Sequence, residues 1–157
     1  MLRCLMNMFK ILVDADASPV KQEVFRVARR YGIKVILVAN SPINIQPEDW
    51  LEIVVVTGRL DAADDWITDH VDNNDIVVTG DIPLAARCVK KGARVLSPRG
   101  SVFTESSIGN TLATRDLMTH LRDIGINTTG PAAFNKKDRS QFLQSLDKLV
   151  QAIRNGK

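Results

Sequence analysis

Short runs of consecutive apolar residues punctuate the first part of the chain: Phe9–Val13, Lys34–Val38, Ile53–Thr57 and Ile76–Thr79, each rich in Val and Ile. Continuous rather than alternating runs suit strands of a parallel sheet covered on both faces. Arg94–Leu96 is a fifth, shorter run. Helical periodicity fills most of the intervals. Val20, Val24, Val27, Ala28 and Tyr31 recur at helical spacing, with Ser18 as a candidate N-cap, Pro19 at the first helical position and Gly32 at the end. Asp61 to Val71 and Pro83 to Lys91 read as two more helices. Thr111–Ile124 and Asp138–Ile153 close the chain as amphipathic helices, the latter with Phe142, Leu146, Leu149, Val150 and Ile153 on one stripe.

Strand–helix alternation predicts an α/β fold, with a mainly parallel sheet of four to five strands, right-handed crossovers and helices on both faces. The expectation is one domain over residues 1–157, with 1–8 as a flexible extension and 110–157 as the helical C-terminal part of that domain. Ser97–Gly109 and Asn127–Lys137 read as long loops, and Ala39–Glu52 as an irregular link with one short helical turn around Pro47–Trp50.

Composition narrows the classes. With 45% apolar and 25% charged residues the chain is globular rather than disordered. No apolar stretch approaches the roughly 20 residues of a membrane helix, so the expected location is cytoplasmic, without a membrane partner. The two cysteines, Cys4 and Cys88, lack zinc-ligand spacing, and a reducing compartment fits them. The net charge of +3 is unevenly spread. Residues 1–114 carry 13 Lys/Arg against 14 Asp/Glu (−1), and residues 115–157 carry 8 against 4 (+4). An acidic site beside a basic tail suits metal-dependent work on a phosphate polymer. The plainer reading is a solvated helical surface.

In open parallel sheets, ligands collect beyond the carboxyl ends of the strands. Three of those ends carry aspartate. Asp14 follows the first strand, with Asp16 two residues on. Asp61, Asp64 and Asp65 open the middle helix, and which of them faces the site is left open by the spacing. Asp81 follows Thr79-Gly80 at the end of the fourth strand. Each acid alone is equally an N-cap or a first-turn acid. Together, converging carboxylates repel, protonate or share a cation, and hard oxygens suit Mg2+ or Mn2+. Asp14, Asp16, Asp61, Asp64 and Asp81 are the candidate ligands, with Asp65 not excluded by spacing; Asp14, Asp64 and Asp81 become the candidate catalytic set only through the resemblance that follows. His70 and His120 lie in helices without a partner pattern and read as packing residues. Arg99, Arg115, Arg122, Lys136 and Arg139 are the candidate contacts to a nucleic-acid backbone, with Asn110 and Lys137 beside them; each singly is also ordinary surface.

Several ordered motifs carry a resemblance over nearly the whole chain. These are Val13-Asp14-Ala15-Asp16-Ala17, Asp61-Ala62-Ala63-Asp64, Thr79-Gly80-Asp81-Ile82-Pro83-Leu84-Ala85, Pro98-Arg99-Gly100, Arg115-Asp116-Leu117, and Gly130-Pro131 followed by Asp138-Arg139. With them the sequence resembles the YaiI/YqxD family of small bacterial proteins. Ser18 departs from the pattern, since such proteins commonly show cysteine there. That family is in turn similar to PIN-like domains, which are metal-dependent ribonucleases. The resemblance implies a Rossmann-like, PIN-like three-layer domain. It also implies an acidic Mg2+ or Mn2+ site at Asp14, at Asp61 or Asp64, and at Asp81. PIN-like sites usually add a glutamate, and Glu23, on the first helix, is not a clear equivalent. Two other classes stay open. Asp14-Ala15-Asp16 also resembles the first motif of haloacid-dehalogenase-like phosphatases, with Asp14 as nucleophile and Asp16 as acid/base. A non-catalytic protein that binds metal or nucleic acid would keep the same pocket without turnover.

Overall fold

The computed structural model describes residues 9–58, 61–109 and 135–156. Its backbone is a six-stranded sheet in the order β3-β2-β1-β4-β5-β6. The strands are β1 (Lys10–Asp14), β2 (Lys34–Ala39), β3 (Leu51–Val55), β4 (Ile76–Val78), β5 (Arg94–Leu96) and β6 (Val102–Phe103). All neighbours pair in parallel except β5 and β6, which are antiparallel. The helices are α1 (Lys21–Tyr31), α2 (Ala62–His70), α3 (Ile82–Lys90) and α4 (Lys136–Arg154), and residues 105–109 are also helical.

The sheet separates two cores, and successive strand residues feed them alternately, as the period-two geometry of a strand requires. Ile11, Val13, Val35, Leu37, Ile76 and Val78 face Val24 and Ala28 of α1 and Phe142, Leu146 and Val150 of α4. Leu12, Ile36, Val38, Val77 and Val95 face Ala63 and Ile67 of α2 and Leu84, Ala85 and Cys88 of α3. Burial on both faces explains why the central strands read as unbroken apolar runs.

Several sequence expectations need correction. The loop at 97–109 contains a sixth strand, β6, anchored where Ser97 N–H donates to the Ser101 carbonyl at 2.8 Å. That leaves only two paired residues to signal a strand. Pro47–Trp50 is not a helical turn. Glu48 and Leu51 exchange both backbone hydrogen bonds at 3.0 Å, and β3 starts at Leu51 rather than Ile53. Ser18 does not cap α1, whose N-cap position is Val20, without a side-chain bond. Ser18 is instead extended and buried, its hydroxyl donating to the Val78 carbonyl at 3.3 Å. The helix expected over 111–124, the expected loop 127–137 up to residue 134 and the extension at 1–8 lie outside the described residues, while Lys136 and Lys137, expected in that loop, open α4 behind the Asn135 cap.

The amino edge of the sheet is fixed by Asp75, 1% exposed. It accepts the backbone N–H groups of Lys10 and Asp72 at 3.0 and 2.8 Å and the Lys10 ammonium at 2.7 Å. A buried carboxylate with three donors is satisfied, and it locks β4 to β1.

Candidate functional site

The strand order reverses between β1 and β4, where β1 connects onward to β2 on one side and β4 to β5 on the other. Crossovers leave that point on opposite faces, so a crevice opens beyond the carboxyl ends. Asp14 is the last residue of β1, and Thr79-Gly80-Asp81 follows β4 directly.

Asp14 is 5% exposed. Its Oδ2 accepts the Thr79 hydroxyl at 2.9 Å. The same Thr79 oxygen accepts the Asp81 N–H at 3.0 Å, so a hydroxyl with one proton is committed to Asp14. Asp81 then turns its Oδ1 onto the Leu84 N–H at 3.0 Å and caps α3, with Pro83 in the first turn. Asp16 lies on the 3-10 turn Ala15–Ala17 and is exposed. Its Oδ2 accepts the Asn40 N–H at 2.8 Å, while Asn40 Oδ1 accepts the Ala63 N–H at 3.3 Å. Asn40 thus joins the ends of β1 and β2 to the start of α2. Each of Asp14, Asp16 and Asp81 uses one named oxygen to fix its orientation. Among the described residues the other oxygen of each makes no hydrogen bond.

Asp64, half-buried in the first turn of α2, faces this group. Burial, then the charges of Asp81 and Asp14, push its carboxyl up to about 6. Burial also raises Asp14, helped by Asp16 and Asp81 and opposed by the Thr79 hydrogen bond and the Lys21 charge. Asp65 points to Arg87 instead, at 3.1 Å. Asp61 occupies the N-cap position of α2 without capping it through its side chain. Of the three acids opening α2, Asp64 is therefore the one coupled to both Asp14 and Asp81. Among the described residues, no group of three or more His, Cys, Asp or Glu forms a preassembled metal site. The donors face one crevice without closing on a common point, the arrangement that mutual repulsion favours.

The remaining candidates divide. Arg99 pairs with Asp138 at 3.0 Å. Gly100 beside it has φ +95, and a Cβ there would sit 2.9 Å from the Gln141 carbonyl. Pro98-Arg99-Gly100 is thus a clamp on the start of α4, completed by the Asn135–Asp138 capping box. Arg139 pairs with Glu23 at 3.1 Å, so the Glu23 carboxylate is engaged in an ion pair between α1 and α4. Lys136 and Lys137 are exposed, and Asn110, Arg115, Arg122 and His120 lie outside the described residues. His70 is not a core residue. It is exposed and stacks on Trp66, ring centroids 3.8 Å apart. Thr79 and Asn40 were absent from the sequence candidates. Asn40 follows β2 directly, at the same sheet edge that drew attention to Asp14, but an amide carries no charge signal.

Fold and site define an α/β protein with a Rossmann-type, mainly parallel sheet and aspartates gathered at its topological switch point. Residues 12–152 match the model of the family described as "Uncharacterized BCR, YaiI/YqxD family", and the chain belongs to that family. A UPF0178 protein of Rhodospirillum centenum is 52% identical over 154 residues, 96% of this chain and 100% of the relative. One from Brucella ovis is 55% identical over 145 residues, 92% of this chain and 90% of the relative. One from Nitrobacter winogradskyi is 50% identical over 149 residues, 95% of both chains. No solved structure matches the chain. Among the described residues no helix is long and apolar enough to cross a membrane.

Proposed function

We propose that this protein is a Mg2+- or Mn2+-dependent phosphodiesterase acting on RNA, in the manner of PIN-like domains. The observation that carries the reading is the coupling of Asp14, Asp64 and Asp81 across the switch-point crevice. Asp64 is raised by burial and by the charges of Asp81 and Asp14, and Asp14 by burial and by the charges of Asp16 and Asp81. Uncompensated carboxylates in that setting cost stability, and a divalent cation offsets the cost. The donor chemistry fits such an ion, being all carboxylate oxygen.

In this reading Asp14 and Asp81 would hold the ion, each with one oxygen not engaged by Thr79 or Leu84 among the described residues. Asp64 completes the set from α2, with Asp61 as the outer alternative. Asp16 stands at the mouth, held by Asn40, where it orients a water or a ligand's hydration shell. A bound divalent ion supplies an activated water and stabilises the charge developing on phosphate. Thr79 keeps Asp14 from rotating, and Lys21 lessens the negative field at the crevice floor.

The test is Mn2+ titration calorimetry on wild type and on Asp14→Asn/Asp81→Asn, with RNA cleavage assayed on the same samples. Binding and cleavage that both vanish in the folded double variant support the reading. Absence of metal binding by wild type ends it. Metal binding without cleavage leaves a binding protein. A covalent adduct of Asp14 with a phosphate mimic would move the assignment to a phosphatase of the haloacid-dehalogenase kind.

A further inference from the structure

The two helical layers differ sharply in charge. Together α1 and α4 carry nine Lys/Arg against three Asp/Glu, net +6. Across the sheet, α2 and α3 carry two Lys/Arg against three Asp, net −1. The three acids of the basic layer are each neutralised by an arginine: Glu23 by Arg139, Asp147 by Arg30 and Asp138 by Arg99. The first two pairs, with the Tyr31 hydroxyl donating to Asp147 at 2.7 Å, also fasten α1 to α4. The surplus positive charge is therefore held on one rigid two-helix surface. Arg26, Lys137 and Lys148 on that surface are exposed and form no ion pair among the described residues.

We propose that the outer face of α1 and α4 binds the phosphate backbone of a nucleic-acid strand, independently of its sequence. Three observations favour that partner. Nucleic-acid affinity without base reading needs clustered Lys/Arg and little else. Among the described residues, the partly exposed aromatic faces on this side of the sheet already carry cations, Arg29 over Trp50 at 5.7 Å and Arg154 over Tyr31 at 5.0 Å, so backbone contact rather than base stacking is the mode offered. An acidic membrane would call for apolar side chains to insert. Among the described residues, the exposed large hydrophobic residues, Val55 and Val102, lie on β3 and β6 rather than on this layer.

The layer also reaches the crevice. Lys21, the first residue of α1, donates its ammonium to the Ser18 carbonyl at 3.3 Å, on the segment that follows Asp14 and Asp16. Arg139, in the first turn of α4, donates to the Pro19 carbonyl at 3.1 Å, just ahead of α1. A strand lying along α1 and α4 would meet the aspartates where these two helices begin. The inference deepens the phosphodiesterase reading and rests on it only for that delivery.

Binding is measured by fluorescence anisotropy with a labelled oligouridine strand, in EDTA so that no cleavage occurs. The samples are wild type, Arg26→Glu/Lys148→Glu, and a control with equal charge change on the other layer, Lys90→Glu/Lys91→Glu. The expected result is an affinity loss of at least tenfold for the first variant and a small loss for the control. The salt slope should fall by about 1.4, since each single-strand phosphate contact contributes ~0.7. Equal losses in both variants would reduce the effect to net charge and overturn the surface. Absence of binding by wild type overturns it outright, as does binding to phosphatidylserine vesicles in place of RNA. Cleavage with Mn2+ whose KM is unchanged in Arg26→Glu/Lys148→Glu would sink this surface and leave the phosphodiesterase reading standing. Tight RNA binding without any cleavage does the reverse.

Discussion

Replacing Asp64 by asparagine isolates the cost of gathering acids at the switch point. The folded carboxyl sits at about 6 against an ordinary 3.8, raised by burial and by Asp81 and Asp14. A group raised on folding contributes stability that is fully present below its unfolded value and is lost as pH rises through the folded value. For Asp64 that window runs from pH 3.8 to about 6, so at pH 7.5 the wild-type protein carries the whole penalty. A shift of about two units corresponds to ~3 kcal/mol at full weight, and solvent screening of a half-buried side chain reduces it to ~1 kcal/mol. The amide keeps the shape without the charge. Asp64→Asn should therefore raise the unfolding free energy by ~1 kcal/mol at pH 7.5, or Tm by about 2–4 °C. The gain should shrink toward zero at pH 4, where the wild-type carboxyl is protonated. Urea denaturation at the two pH values measures this. Saturating Mn2+ should reverse the order, because ion at about 100 times its Kd stabilises the wild type by ~2.7 kcal/mol and the variant less. Destabilisation by the amide at pH 7.5, or the same difference at both pH values, would refute the electrostatic account of the crevice.

The neighbouring groups give further expectations. Thr79→Val strips partners from a buried Asp14 carboxylate and from the Asp81 N–H, and should cost about 1.5–3 kcal/mol in denaturation, with Thr79→Ser restoring most of it. Asp81→Asn retains a capping side chain for Leu84 but removes a charge. The Asp64 carboxyl should drop below about 6 in a carbon-detected NMR titration while helix content is unchanged. Gly100→Ala forces a Cβ against the Gln141 carbonyl at positive φ and should lower stability by about 1–3 kcal/mol, read as a lower denaturation midpoint. Cys88 is buried with its thiol pushed up to about 11, so it should resist a disulfide reagent at pH 8 until the chain is unfolded.

The parts of this molecule that were legible in the sequence are those set by local pattern. Strands buried on both faces gave continuous Val/Ile runs, and Gly32 closed α1 in the left-handed region, φ 67. The carboxyl-end rule then pointed to Asp14 and Asp81 before any pairing was known. What escaped depends on which strands become neighbours. Asp75 precedes Ile76 as Lys10 precedes Ile11, and only the register Ile11↔Ile76 brings the two charges together. Ser18 looked like a cap because a serine before proline and a helix usually is one. The adjacent β4 supplied a carbonyl that local sequence does not show. The three acids of α2 were indistinguishable by spacing. Arg87, from the next helix, separates Asp65 from Asp64.

The choice between helix caps and a functional cluster, open for each aspartate in the sequence, is not an exclusive one. A carboxylate has two oxygens, and capping uses one. Asp81 gives Oδ1 to Leu84, Asp14 gives Oδ2 to Thr79 and Asp16 gives Oδ2 to Asn40. Fixing one oxygen against the backbone or a buried hydroxyl restricts where the second one points, so the structural bond also preorganises the chemical one. Stability alone would be served as well by asparagine or serine at a cap, residues that do not repel one another. Aspartate at each of these positions adds a charge cost that the folded protein bears at neutral pH through Asp14 and Asp64. In the proposed reading, a cation shared by these aspartates would turn that cost into affinity.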